Sequence, residues 1–290
     1  LDEAAAGHVF AAGHGEAGND VGLVGSTTQA ERVDGGWVFT GRKVFGSLSP
    51  VWTYLGLHGM DVSDPAAPKV VHAFMPRDAE GYRIEETWDA LGMRATASHD
   101  TVLDRAFVPD HLAPVVVPAG AAGADLFHLS LMAWGLLGFA SVYAGVAQRA
   151  YDLVVDSAKT RGAIGLGPGR TMANNPEVQR MVAEMRLDLE TIDAMLTRAC
   201  DDWAAGADHG AAWPTKIIAT KHVVVTKAFE VVDTALDMTG GAGVFKRHRL
   251  EQLFRDARLG RMHPANRLAT IEMVGKDALG IDPDAQPRWG

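Results

Sequence analysis

One cysteine, Cys200, stands in 290 residues, so no disulfide framework can form within the chain, which suits a reducing, cytoplasmic setting. An excess of positive charge is lacking too. Lys and Arg number 27 against 36 Asp and Glu, and the net charge of −9 argues against nucleic acid as a partner. No uninterrupted apolar run reaches the length of a membrane span. The richest stretch, 129–154, is broken by Gly135, Gly138, Ser141, Gly145, Gln148, Arg149 and Asp152, so no membrane partner is expected. The eleven histidines lack HExxH or comparable ligand spacing, and no metal site is predicted. A Gly-x-Ser-x-Gly segment is also absent, which argues against a hydrolase. What remains is a globular composition with 47% hydrophobic and 22% charged residues, too apolar for a disordered chain. Its length fits one large domain or two ordinary ones.

The hydrophobic period changes along the chain. Residues 1–117 read as strands. Arg32 to Phe39 alternates around Asp34-Gly35-Gly36, a hairpin turn in which glycine accepts positive φ. Val51–Leu57, Val70–Met75 and Thr101–Val108 are further short apolar runs between Pro, Gly and Asp, as in a small barrel or sandwich. Residues 118–290 read as helices. Phe127 to about Ala158 is apolar nearly all round, as in a helix buried on every side. Asn175-Pro176-Glu177 is an N-cap, a first-turn proline and an early acid. The stripe Val178, Met181, Met185, Leu189, Ile192, Leu196, Ala199 follows. Trp213-Pro214 opens a third helix that ends at Gly240-Gly241, and a shorter one runs from about Ala265 to Leu279, stopped by Gly280. The expected fold is α+β and multidomain: a small β-barrel or sandwich, then a four-helix bundle.

Four segments then carry a resemblance. They are Gly41-Arg42-Lys43-Val44-Phe45-Gly46-Ser47, Leu91-Gly92-Met93-Arg94-Ala95-Thr96-Ala97-Ser98, Gly145 to Asp152 with Arg161, and Met238-Thr239-Gly240-Gly241-Ala242-Gly243 with Phe254-Arg255-Asp256-Ala257-Arg258. In order and spacing this set resembles the acyl-CoA dehydrogenase superfamily, from about residue 5 to residue 280. The resemblance implies a FAD flavoprotein whose usual N-terminal helical domain is absent from this chain. It implies that Phe45 walls the flavin ring and that Ser47 donates to its N5. Gly13, Gly18 and Asn19 fall in the loop that wraps the flavin, where Gly13 replaces a threonine, His14 a glutamate and Asn19 a serine. Arg161, Gly240 and Gly241 would meet the FAD of a neighbouring subunit, so a homodimer or homotetramer is implied. Read alone, Gly240 and Gly241 are a helix C-terminus and Phe45 is strand core.

The resemblance also locates a gap. Dehydrogenation of an acyl-CoA needs a carboxylate base held over the α-carbon in a dry pocket. The family places it in the loop after Arg-Asp-Ala-Arg, where this chain has Pro264, or on the first bundle helix near Gly135. No Asp or Glu occurs between Asp125 and Asp152. Glu272 is the nearest later carboxylate, about two helical turns away. Three readings stay open. One is acyl-CoA α,β-dehydrogenation in fatty acid metabolism, with an acceptor flavoprotein as partner. The second is a flavin-dependent monooxygenase on the same fold, fed by a flavin reductase and acting on another small molecule, with His263 and Asn266 as the active-site donors. The third is a FAD-binding subunit without catalysis. The plain reading of His263 is a helix-entry histidine.

Overall fold

The computed structural model describes residues 2–18, 23–120 and 125–282. They fall into two compact units. One comprises 2–90 and 94–128, the other Leu91–Met93 and Leu129–Ile281.

The first unit opens with a single helical turn, α1 (Asp2–Ala5), and is otherwise β. Its strands are β1 (Phe10–Ala12), β2 (Gln29–Val33), β3 (Gly36–Gly46), β4 (Tyr54–Asp61), β5 (Lys69–Pro76), β6 (Tyr82–Glu85), β7 (His99–Pro109) and β8 (Val115–Pro118). The β2–β3 hairpin pairs Val33 with Gly36 across the two-residue turn Asp34-Gly35, and Gly35 takes φ +76°, which a side chain would resist. The eight strands form one sheet in the order β6-β7-β3-β2-β4-β5-β8, with β1 added parallel to β4. β5 and β7 have three strands between them in that order yet touch, so the sheet rolls over on itself. Trp37, Phe39, Trp52, Leu55, Leu57, Met75 and Leu103 fill the roll.

The rolled sheet also buries charge. The side chains of Lys43 and Glu16 form an ion pair at 0% and 2% exposure. Glu16 accepts in addition from Ser26 Oγ (2.5 Å), the Thr27 amide (2.6 Å) and the hydroxyls of Thr27 and Thr28 (both 2.9 Å). Burial alone would raise this carboxyl. The hydrogen bonds from Lys43 and Ser26 outweigh it and hold the carboxyl well below the usual range. Burial brings the Lys43 ammonium down to about 8, against the pull of Glu16.

Four histidines crowd beside this pair. His58 lies opposite His72 in the β4–β5 register. Ring centroids are 5.2 Å apart for His14–His58, 5.5 Å for His58–His72 and 5.2 Å for His72–His128. The Nε2–H of His58 donates to the Gly25 carbonyl (3.0 Å), which leaves Nδ1 as an acceptor facing Lys43 Nζ at 3.4 Å. His72 is 4% exposed, and neither ring nitrogen has a partner. Burial first, then neighbouring positive charge, lowers His14 to about 4 and His72 to about 3, and lowers His58 as well. His14, His58 and His72 are therefore neutral in the folded protein at neutral pH.

The second unit holds α2 (Leu126–Thr160, from Leu129 on), α3 (Pro176–Ala204), α4 (Trp213–Thr239), α5 (Arg249–Arg258) and α6 (Arg267–Leu279). The N-cap of α3 is as read: the Asn175 side chain accepts from the Glu177 amide at 2.9 Å. Gly280 ends α6 in the left-handed conformation. Three features differ from the sequence reading. α5 is a fifth helix, short but amphipathic, with Leu250, Leu253, Phe254 and Ala257 at helical spacing, which the sequence reading passed over. α2 is not buried on every side: Ala133, Leu136, Leu137, Ala140, Tyr143, Ala147, Ala150 and Val154 line its buried face, while Trp134 is 75% exposed. α2 is also long and apolar enough to cross a membrane by length and composition. Gly135, Gly138, Ser141 and Gly145, counted as breaks in the sequence, do not interrupt the helix.

The histidine cluster sets an acid limit on the first unit. Unfolded histidines take up protons near 6.5, and the folded rings resist until about 4 or below. Stability is thus full above pH 6.5 and is lost as pH falls toward the folded values, by about 1.4 kcal/mol per pH unit per histidine. Urea unfolding followed by tryptophan fluorescence between pH 7 and 4 is expected to show that slope, less one histidine's share in His72→Phe; a flat profile contradicts it. In the same assay Glu16→Gln is expected to cost about 3–5 kcal/mol by stranding Lys43, and Glu16→Gln with Lys43→Met less than that.

Candidate functional site

In the first unit, the end of β3 departs from strand geometry. The pairing of β3 with β7 shifts register between Lys43 and Gly46, and Phe45 sits at φ +59°. The break lets Lys43 point inward while Phe45 turns out, 64% exposed, with its ring edge-on to Trp88 at 6.1 Å. Phe45 is therefore not strand core. The Val44 amide donates to the Gly15 carbonyl (2.8 Å), and a Cβ on Gly15 would lie 2.5 Å from the Val44 oxygen. Glycine at 15 thus allows the His14–Glu16 loop to run against Val44 and Phe45.

Ser47 joins a chain of hydroxyls. Its Oγ is 2.8 Å from Ser98 Oγ, which is 2.6 Å from Thr96 Oγ1. Each hydroxyl has one proton and two lone pairs. With Thr96 donating to Ser98 and Ser98 to Ser47, the Ser47 proton is left for a ligand. An exposed aromatic ring held off the sheet and a hydroxyl that can donate outward in one of its two orientations are what an isoalloxazine wall and N5 donor require, so these residues fit a flavin. Gly13 serves packing: a Cβ there would lie 2.8 Å from Leu55, whose side chain fills the space. Gly18 is exposed at φ +107°. Asn19 lies outside the described residues.

In the second unit, His263 follows α5 on the loop into α6. Its ring stacks on Phe139 (centroids 4.3 Å, 21°), and Nε2 lies 3.0 Å from the Tyr143 hydroxyl. Burial, then the charge of Lys221, lowers His263 to about 4, while burial and Asp256 push the Tyr143 phenol well above its usual value. At neutral pH the pair is a neutral imidazole and a neutral phenol. Lys221, 1% exposed, donates to the carbonyls of His263 (2.8 Å) and Ala265 (3.0 Å) and so clamps the loop from α4.

Asn266 does not share this setting. Its side chain accepts from the Ala269 amide at 3.0 Å and caps α6, which spends the carboxamide oxygen on the helix. Glu272 pairs with Lys276 at 2.8 Å, one turn away. Arg161 lines the same small hollow as Met238 and Thr239, so it is brought beside Gly240 and Gly241. Gly240 sits at φ +62° at the end of α4, and a Cβ on either glycine would meet nothing within 4 Å. The turn explains Gly240 without a ligand.

Two motifs of the resemblance meet within this unit. The Met93 amide donates to Asp256 Oδ1 (2.5 Å), Arg255 donates to the Leu91 carbonyl (3.0 Å), and a Cβ on Gly92 would strike the Arg255 backbone. The sequence reading missed Tyr143 and Lys221. Lys221 left a signal, a lone cation in register with Ile217, Val224, Val225 and Ala228. Tyr143 left none, because an aromatic in an apolar helix reads as packing. The buried His58, His72 and His128 were also unforeseen. Among the described residues no group of three or more His, Cys, Asp or Glu is placed to hold a metal ion.

Residues 137–267 match the family described as "Acyl-CoA dehydrogenase, C-terminal domain". The chain is 30% identical over 256 residues to L-evernosamine nitrososynthase of a Micromonospora species, covering 86% of this chain and 59% of that protein. It is 28% identical over 281 residues to the oxygenase component of FADH(2)-dependent resorcinol hydroxylase from a Rhizobium species, covering 89% and 68%. The solved structure of butyryl-CoA dehydrogenase from Megasphaera elsdenii shares the fold, with TM-score 0.79 at 18% identity over 94% of this chain and 68% of that one. The chain thus spans about three fifths of the length of the nitrososynthase it resembles. Residues 137–267 thus match the acyl-CoA dehydrogenase C-terminal domain family, and the chain shares the acyl-CoA dehydrogenase fold.

Proposed function

We propose that the protein is a flavin-dependent monooxygenase on the acyl-CoA dehydrogenase fold, acting on a small molecule with reduced flavin supplied by a reductase. One observation carries this reading. The loop after α5 offers a neutral, half-buried His263 bonded to Tyr143 where an α-proton base would need a carboxylate. Pro264 stands at the usual place of that base, and Glu272 is held by Lys276. Two relatives lean the same way. One is an oxygenase component by name, and the other makes a nitroso group, which contains an N–O bond.

Bound flavin, FAD by the resemblance, would supply the electrons for dioxygen. The chain's own residues do the rest. Phe45 would wall the ring and Ser47 would offer a hydroxyl proton to it. His263 and Tyr143 hold one proton between Nε2 and the phenol oxygen, in a setting dry enough to keep both neutral. A neutral imidazole can take a substrate proton or orient a polar group, which for positioned acid–base catalysts is worth about 10²–10⁴ in rate. Arg161 and Gly240-Gly241 would meet the flavin of a second copy, making a homodimer the smallest functional unit.

The test is oxygen uptake. Purified protein with NADH, FAD and a flavin reductase is expected to consume oxygen in step with an added hydroxylatable or amino substrate. His263→Ala is expected to lower that coupled rate by about 10²-fold or more, and Tyr143→Phe by less. Because His263 must be neutral, its contribution is expected to be level from pH 6 to 8 and to fall as pH drops through about 4. Anaerobic bleaching of bound flavin by an acyl-CoA, with no coupled oxygen uptake, would replace this reading with dehydrogenation. Neither response would leave a subunit without catalysis.

A further inference from the structure

Behind the His263 loop lies a cavity of about 130 Å³, lined by Lys221, His222, Thr226, Arg261, Ala265 and Arg267 among others. Its charges are of one sign, and none of the lining residues is an acid. Lys43, in the other unit, is buried against a carboxylate; Lys221 is buried against two carbonyl oxygens and meets no counter-charge. Arg261 lies 4.7 Å over the ring of Phe229, and its Nε is buried with no hydrogen-bond partner. Arg267 is the first residue of α6, a 13-residue helix whose amide end adds partial positive charge on the same side. The positive charges of Lys221, Arg267 and Arg261 all act on His222, which, after burial, they keep from gaining a proton.

Buried cations without a counter-ion are costly, and an anion that accepts from them removes that cost. We propose that this cavity is an oxyanion site that takes a phosphoryl group. Its size decides how much of a ligand enters. Pockets for whole drug-sized ligands run to roughly 300–1,000 Å³, so about 130 Å³ admits the anionic end of a ligand and not its body. Lys221, Arg261, Thr226 and Arg267 line the cavity, and they are the residues that would supply the donors and the positive charge to that group. Lys221 also holds the carbonyls of His263 and Ala265, so an anion here would share the lysine that fixes the catalytic loop. The assignment stands on the cavity itself, whatever reaction the flavin performs.

Inorganic phosphate is the probe. Titrated calorimetrically into the purified full-length chain, with chloride matched for ionic strength, it is expected to bind saturably. Arg261→Gln and Arg267→Gln are each expected to weaken binding by about tenfold or more, with circular dichroism confirming that the variants are folded. Arg261→Lys, which keeps the charge, is expected to recover part of the loss. Acetate is expected to bind more weakly than phosphate, and equal binding would overturn the phosphoryl assignment. Phosphate binding that both Gln variants keep unchanged, or no saturable binding at all, overturns the site. The flavin absorbance of the same samples reports separately on the flavin reading.

Discussion

A buried ammonium has to be given oxygen atoms, and Lys221 takes them from the loop that carries His263. Removing an ammonium from water costs several kcal/mol unless acceptors replace the water. Two main-chain carbonyls, of His263 and Ala265, do so here. The loop is thereby held to α4, and the His263 ring is held against Phe139 and Tyr143. The charge that fixes the loop also keeps its histidine neutral, because Lys221 adds to the burial that lowers it. The same lysine, lacking a carboxylate, leaves the neighbouring cavity positive.

The first unit meets the same constraint differently. Lys43 is buried against Glu16, whose oxygens are filled by Ser26, Thr27 and Thr28. The strand breaks register just after the inward-pointing Lys43. The register shift and the positive φ of Phe45 place its ring outside the sheet, next to the hydroxyl chain through Ser47. Structure and candidate chemistry are therefore coupled along seven residues of β3 and its end. The fully bonded carboxylate fixes the strand, and the strand presents the aromatic ring and the hydroxyl.

Much of this was legible along the chain. Period, caps and turn residues are local properties, and they marked the β2–β3 hairpin, the Asn175 cap of α3 and the Gly280 stop of α6 where the structure has them. The short helix α5 was passed over although Leu250, Leu253, Phe254 and Ala257 stand at helical spacing; only its packing against Leu91–Met93, far away in sequence, was not legible. Asn266, read as a donor near the site, also caps α6 through its carboxamide oxygen, a role that depends on where α6 begins.

The sequence by itself determined the two-part organisation, the ordered superfamily motifs and the lack of a carboxylate where a dehydrogenase base would stand, because each depends on residue types at fixed spacings. Only the tertiary structure decided that His263 is neutral and paired with Tyr143, 120 residues away, and that four histidines share one core. It alone also gathered Lys221, Arg261 and Arg267 around one cavity. Protonation and charge balance are set by which groups are packed together and how dry they are, and that is fixed by chain segments brought together from afar rather than by neighbours along the chain.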